Sequence, residues 1–182
     1  IIGAFLLLFP LTTIAQSLQL ADSLFSKGQR FDDSGQKKQS EFYYREAYNI
    51  YRDFRDTASW LEAGKEYASA MMWRSKYDQA MKLYKKLLDV DHSTNDTYYR
   101  GDLYNSMWLT SKKSGNMTQA LQYYQKSLPL AEASGDSLLI GIVYSNLGVL
   151  NRFEGNLKKA LERYEQSLPY LEAIDSQRDI AI

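Results

Sequence analysis

The sequence predicts an all-α fold, a right-handed superhelical solenoid of antiparallel helix hairpins, and three observations carry that expectation. Gly115 and Gly155 are forty residues apart, as are Ala80, Ala120 and Ala160. Tyr44, Tyr84, Tyr124 and Tyr164 keep the same spacing, and Tyr48, Leu88, Leu128 and Leu168 follow four residues behind them. Within one period the apolar spacing is helical: Tyr144, Leu147, Gly148 and Asn151 share one face, and Leu157, Ala160, Leu161, Tyr164 and Leu168 share another. A period of this length marks stacked supersecondary units, none of which buries its apolar face alone.

The first segment is a separate object. Residues 1–15, IIGAFLLLFPLTTIA, carry no charge, and the first charged residue is Asp22. The run is shorter than the roughly 20 apolar residues that cross a bilayer. Thr13 and Ala15 ahead of Gln16 fit a signal-peptidase site, so residues 1–15 read as the remnant of a signal peptide cleaved after Ala15. An uncleaved membrane anchor is the alternative. The chain opens at Ile1 with neither methionine nor a basic segment, which reads as a lost true start.

Residues 16–182 then form the solenoid, in units 21–60, 61–100, 101–140 and 141–180. The segments "EGN" at 154–156 and "SGN" at 114–116 mark the break between the two helices of a unit. Glycine there can end a helix in the left-handed conformation, and asparagine can start the next. Asp56, Asp96 and Asp136 are expected to cap the following first helices. Ala68, Ala80, Ala120, Ala160 and Gly148 are expected where paired helices approach most closely, with the tyrosine column filling the gap between hairpins. Pro129 and Pro169 fall inside second helices and predict kinks. Asp179 to Ile182 read as entry into another first helix, so the solenoid is expected to be truncated at its C-terminus.

At these residues the sequence resembles tetratricopeptide repeats, which have a small residue in each helix at the crossing, a glycine before the second helix and an aromatic four residues after its alanine. Gly148, Gly155, Ala160 and Tyr164 match in the last unit. The third unit keeps Gly115, Ala120 and Tyr124 but has Trp108 where a small residue is usual, which predicts local splaying. The first unit has Ser40 and Lys27 in place of apolar residues, as an end unit with a wet face would. A forty-residue unit leaves room for second helices one or two turns longer than in the commoner repeat. This form is similar to the exported repeats ahead of the membrane helix in bacterial sensor histidine kinases and regulators. The resemblance implies a periplasmic or envelope location in a Gram-negative bacterium and a role as the input region of a longer signalling protein. A structural scaffold of an envelope assembly is the alternative.

Composition narrows the function classes further. Twenty-two basic and twenty-two acidic side chains cancel, which removes the electrostatic footprint of a nucleic-acid binder. The absence of cysteine excludes thiolate chemistry, and the lone histidine, His92, lies in a polar run read as a solvated loop. No nucleotide-binding glycine loop, paired metal-binding histidines or nucleophile elbow is present, so neither an enzyme nor a cofactor is expected.

The resemblance places the partner on the concave face lined by first helices. One stripe beside the core stripe recurs there: Phe25, Gln29 and Asp32; Lys65, Ser69 and Met72; Asn105, Leu109 and Lys112; Ser145, Val149 and Arg152. Lys65, Lys112 and Arg152 make its later part positive, predicting an extended peptide or protein segment with acidic groups as partner. Ser69 stands where a carboxylate-clamping repeat has asparagine, so a C-terminal carboxylate is not specifically implied.

Overall fold

The computed structural model describes residues 11–91 and 96–180. Eight helices occupy them: α1 (Leu11–Asp33), α2 (Lys37–Asp53), α3 (Thr57–Trp73), α4 (Tyr77–Asp91), α5 (Thr97–Lys113), α6 (Met117–Ser134), α7 (Ser137–Phe153) and α8 (Leu157–Ile180). The all-α class and the succession of hairpins are as the sequence predicts. The starts of α3, α5 and α7 repeat at forty residues, as do those of α2, α4, α6 and α8. The chain divides into two compact units, one reaching Val90 and one starting at Asp91. Most of the apolar segment 1–15, and with it the expected signal remnant or anchor, lies outside the described residues; Leu11–Ala15 begin α1. His92 lies outside them too. No helix among the described residues is long and apolar enough to cross a membrane.

The turns explain the period. Residues 35, 75, 115 and 155 all have positive φ, three as glycine and one as Ser75 at 61°. The residue after each donates its N–H back to a carbonyl five residues earlier: Gln36 to Phe31, Lys76 to Met71, Asn116 to Ser111 and Asn156 to Asn151, at 2.8–2.9 Å. This closure satisfies helix-end carbonyls and requires a left-handed residue, which glycine adopts without strain and serine does not. The expected caps are in place. The carboxylates of Asp56, Asp96 and Asp136 accept from the N–H groups of Ser59, Tyr99 and Leu139 at 3.2, 3.0 and 2.7 Å. Asn116 caps α6 by accepting from Gln119 N at 3.0 Å.

In the first unit, α1 packs on α2 and α2 on α3. The crossings depend on missing side chains: a Cβ at Gly28 would lie 2.6 Å from the Tyr44 ring, and one at Gly64 would lie 2.7 Å from Leu87 and 3.1 Å from Tyr48. Tyr44 therefore packs within its own hairpin, and Tyr48, against Gly64, Trp60 and Tyr67, joins one hairpin to the next. This corrects the role expected of Tyr44, because the small residue that admits its ring belongs to the same hairpin. Ser40 is also no wet-face residue. It is fully buried at the position of Ala80, Ala120 and Ala160, its hydroxyl donating to the Lys37 carbonyl at 3.2 Å.

In the second unit, α5 packs on α6 and α7 on α8. A Cβ at Gly148 would lie 2.5 Å from the Tyr164 ring, repeating the Gly28–Tyr44 arrangement. Trp108 occupies the same position in α5, yet α5 and α6 pack as extensively as α7 and α8, and the indole is 1% exposed. The expected splaying is absent. A ring placed as Tyr44 or Tyr164 is would collide with any side chain at 108, and Tyr124 instead has Arg163, Tyr144 and Glu132 as its charged and polar neighbours. The indole is enclosed, with Lys112 Nζ 5.2 Å from its ring centroid. The Ser127 hydroxyl, buried, ties α6 to α5 by donating to the Gly101 carbonyl at 2.8 Å. Both α6 and α8 continue through Pro129 and Pro169. In the α5–α6 hairpin the helices are 17 and 18 residues, so the extra length of the period is shared by both, whereas in the last hairpin α8 has 24 residues against 17 for α7.

Candidate peptide-binding faces

Each unit has a face between its two first helices. In the first unit this is the space between α1 and α3, where Phe25, Gln29 and Asp32 meet α3. Phe25 lines a cavity of about 320 Å³ with Tyr51, Ala58, Ser59 and Glu62. Gln29 and Asp32 line a cavity of about 620 Å³ with Ser26, Arg30, Asp33, Tyr44 and Glu66. Tyr51 is fixed by donating its hydroxyl proton to Asp22 Oδ1 at 2.6 Å. Burial first, then the hydrogen bond to Asp22, holds its phenol well above the usual tyrosine range.

The α3 part of the predicted stripe is only partly on this face. Lys65 lies 3.3 Å from Glu62 and 3.5 Å from Glu66, with 14% of its side chain exposed. Its charge is neutralised locally, so the positive character expected from Lys65 is corrected to an acidic one: Glu62 and Glu66, not Lys65, line the cavities. Ser69 is half-buried. Met72 is 3% exposed and belongs to the core, because α3 is covered by α2 on one side and reaches α4 through Gly64 and Leu87 on another, which narrows its open arc.

In the second unit the corresponding face lies between α5 and α7. Asn105 accepts a hydrogen bond from Asn146 Nδ2 at 2.8 Å, which ties the two first helices together. Leu109, Ser145 and Val149 are half-buried and Arg152 is exposed. Lys112 Nζ sits 5.2 Å from the Trp108 ring centroid and 5.7 Å from that of Phe153, which is 65% exposed. Partial burial, followed by the charges of Lys113 and Arg152, holds the Lys112 ammonium below the usual lysine range. The fold thus brings Lys112 and Arg152, from different helices, into one neighbourhood with an exposed aromatic ring.

Sequence reasoning missed Glu62, Glu66, Asn146 and Phe153 because the stripe drawn on α3 and α7 was rotated by about one residue. The i,i+4 pair Glu62 and Glu66, and the asparagines 105 and 146 that hydrogen-bond across helices, were the available signals.

Residues 110–173 match the tetratricopeptide repeat family. The fold is tetratricopeptide-like. The matched family is a repeat family and not an enzyme family. Solved structures of similar fold include a Rap protein complexed with competence and sporulation factor, with TM-score 0.76 at 16% identity over 84% of this chain and 43% of that one. BtubC (BKLC) from P. vanneervenii follows with TM-score 0.67 at 18% identity, covering 89% of this chain and 72% of that one. MamA has TM-score 0.58 at 17% identity, covering 86% and 81%. This chain spans less than half the length of the Rap protein. No curated protein matches it in sequence.

Proposed function

We propose that the chain is an exported protein-interaction module, the input region of a longer bacterial signalling protein, whose α5–α7 face takes an extended acidic peptide or protein segment. The observation that carries the ligand class is Lys112. Its ammonium is partly desolvated, lies beside Arg152 and Lys113, and is held over two aromatic rings. A carboxylate placed between Lys112 and Arg152 relieves that like-charge repulsion on binding, so the charge arrangement disfavours the empty face relative to the occupied one. Phe153 offers an apolar contact beside it. The tetratricopeptide-like repeats in this region and a structural neighbour solved with a bound factor support a ligand-holding role. Export rests on the uncharged segment 1–15 and its small residues at Thr13 and Ala15. The signalling role rests on the resemblance of the forty-residue repeats to those of exported sensors.

Fluorescence anisotropy with a labelled glutamate-rich peptide tests the ligand class. Binding should weaken as salt rises, drop at least tenfold in the Lys112→Glu, Arg152→Glu double variant, and vanish when glutamine replaces glutamate in the peptide. Equal binding of the glutamine peptide ends the acidic-ligand reading. For export, N-terminal sequencing of the protein made in a Gram-negative host should give Gln16 as the first residue, and a retained segment 1–15 in the membrane fraction would replace the leader with an anchor.

A further inference from the structure

The α1–α3 groove of the first unit is opposite in charge to the α5–α7 face. Its larger cavity is walled by Asp32, Asp33 and Glu66 against one arginine, Arg30, whose guanidinium is turned to its own helix and donates to the Ser26 carbonyl at 3.4 Å. Two lysines already answer part of this charge: Lys37 lies 2.8 Å from Asp32, and Lys65 pairs with Glu62 and Glu66. Asp33 is exposed and has no ion pair among the described residues. The carboxylates are spread along two helices and do not form a cluster that could hold a metal ion.

The second and independent observation is Tyr44. Its side chain is 2% exposed and lines the cavity, with its ring held against Gly28 and 5.4 Å from Phe25. Its hydroxyl makes no hydrogen bond to any described residue. The hydroxyl oxygen is not among the side-chain atoms sealed from solvent, so it opens into the cavity, where a ligand can supply the partner that the protein does not. Burial first, and then the carboxylates of Glu66, Asp32, Asp33 and Glu62, hold this phenol protonated through the neutral and mildly alkaline range. The hydroxyl therefore retains both its proton and its lone pairs, surrounded by negative charge.

We propose that the groove between α1 and α3 binds the arginine or lysine side chain of an extended basic peptide, with the Tyr44 hydroxyl accepting a hydrogen bond from the cation and Asp32, Asp33 and Glu66 neutralising it. A spread set of carboxylates around a neutral acceptor suits a guanidinium or ammonium carried on a flexible stem. The adjoining cavity, floored by Phe25, Tyr51 and Ala58, takes an apolar side chain of the same peptide. Glu62 and Glu66, one turn apart on α3, border the two cavities. A turn advances about 5.4 Å, close to the roughly 6.6 Å between alternate side chains of an extended strand. The occupant is thus an extended segment with an apolar residue and a basic one two positions apart, on the same face of the strand. This site does not depend on the α5–α7 face and takes ligands of opposite charge.

Anisotropy on the full chain, with a labelled peptide carrying leucine and arginine two positions apart, tests the site against two controls: citrulline in place of arginine, and glutamate in place of arginine. The arginine peptide should bind, the citrulline peptide about tenfold more weakly, and the glutamate peptide should not compete. Tyr44→Phe keeps the ring on Gly28 and should weaken the arginine peptide about tenfold, and Asp33→Asn, at an exposed position, about threefold. Titration with arginine amide should shift the backbone amide resonances of Gln29 and Glu66. Equal affinity for arginine and citrulline overturns the proposal, as does an unchanged affinity in Asp33→Asn with unshifted amides. If Lys112→Glu, Arg152→Glu weakens the arginine peptide while Asp33→Asn does not, the peptide sits elsewhere and the α1–α3 site is wrong.

Discussion

The first-helix faces of the two units are built on equivalent positions eighty residues apart, and they differ where a ligand would touch them. Ser26 corresponds to Ser106 and Tyr44 to Tyr124, but Asp32 becomes Lys112, Asp33 becomes Lys113, Gln29 becomes Leu109 and Glu66 becomes Asn146. One face is acidic around an unpartnered phenol; the other is basic around aromatic rings. A further exchange lies beneath: Gly28, which admits the Tyr44 ring, is replaced by Trp108. The repeat tolerates these differences because its hairpins are set by the left-handed turn residues, the aspartate caps and the small residues at the second-helix crossing. None of those positions has to change when the open arc of a first helix does. A repeated scaffold can thus carry two faces of opposite charge while the chain as a whole stays neutral.

The sharpest way to break the comparison is Trp108→Ala. If the indole fills the space that a repositioned Tyr124 leaves, its loss should cost about 3–5 kcal/mol, read from urea denaturation. A loss below about 1 kcal/mol would mean that Tyr124 swings back into the Tyr44-like position and refills the space. In the first unit the reverse change, Gly28→Ala, puts a carbon 2.6 Å from the Tyr44 ring and should cost about 1–3 kcal/mol by overpacking. In a Tyr44→Ala background the same substitution should cost far less, and equal costs in both backgrounds would show that the ring does not set the requirement for glycine.

The smallest effect concerns charge. Burial, Lys113 and Arg152 hold Lys112 below the ordinary lysine range, so just under the ordinary value near 10.4 the unfolded chain binds more protons than the folded one. Stability contributed by this site therefore rises with pH through that window, and its penalty is fully present below it. Lys112→Met should be slightly more stable than the parent at pH 7, with the difference closing as pH rises toward the ordinary lysine value. A constant difference across that range would show that Lys112 is not held at a charge cost, and would remove the main support for an acidic ligand on the second unit.

The sequence by itself determined the helical class, the forty-residue period and the hairpin turns, because these are local events. A left-handed residue after each first helix, a capping aspartate and a 3.6-residue apolar period act over a few residues and leave their mark in the order of the chain. Phe25, Gln29 and Asp32, singled out from the sequence, line cavities beside α3, and Lys112 and Arg152 lie near one another. Only the tertiary structure decided which charges survive on those faces. Lys65 is spent on Glu62 and Glu66, Met72 is covered, Trp108 is absorbed where a small residue was expected, and Asn146 is turned to Asn105. Each outcome depends on the rotation of one helix against another. A shift of one residue, about 100° around a helix, moves a side chain from groove to core, and apolar periodicity defines a face no more finely than that.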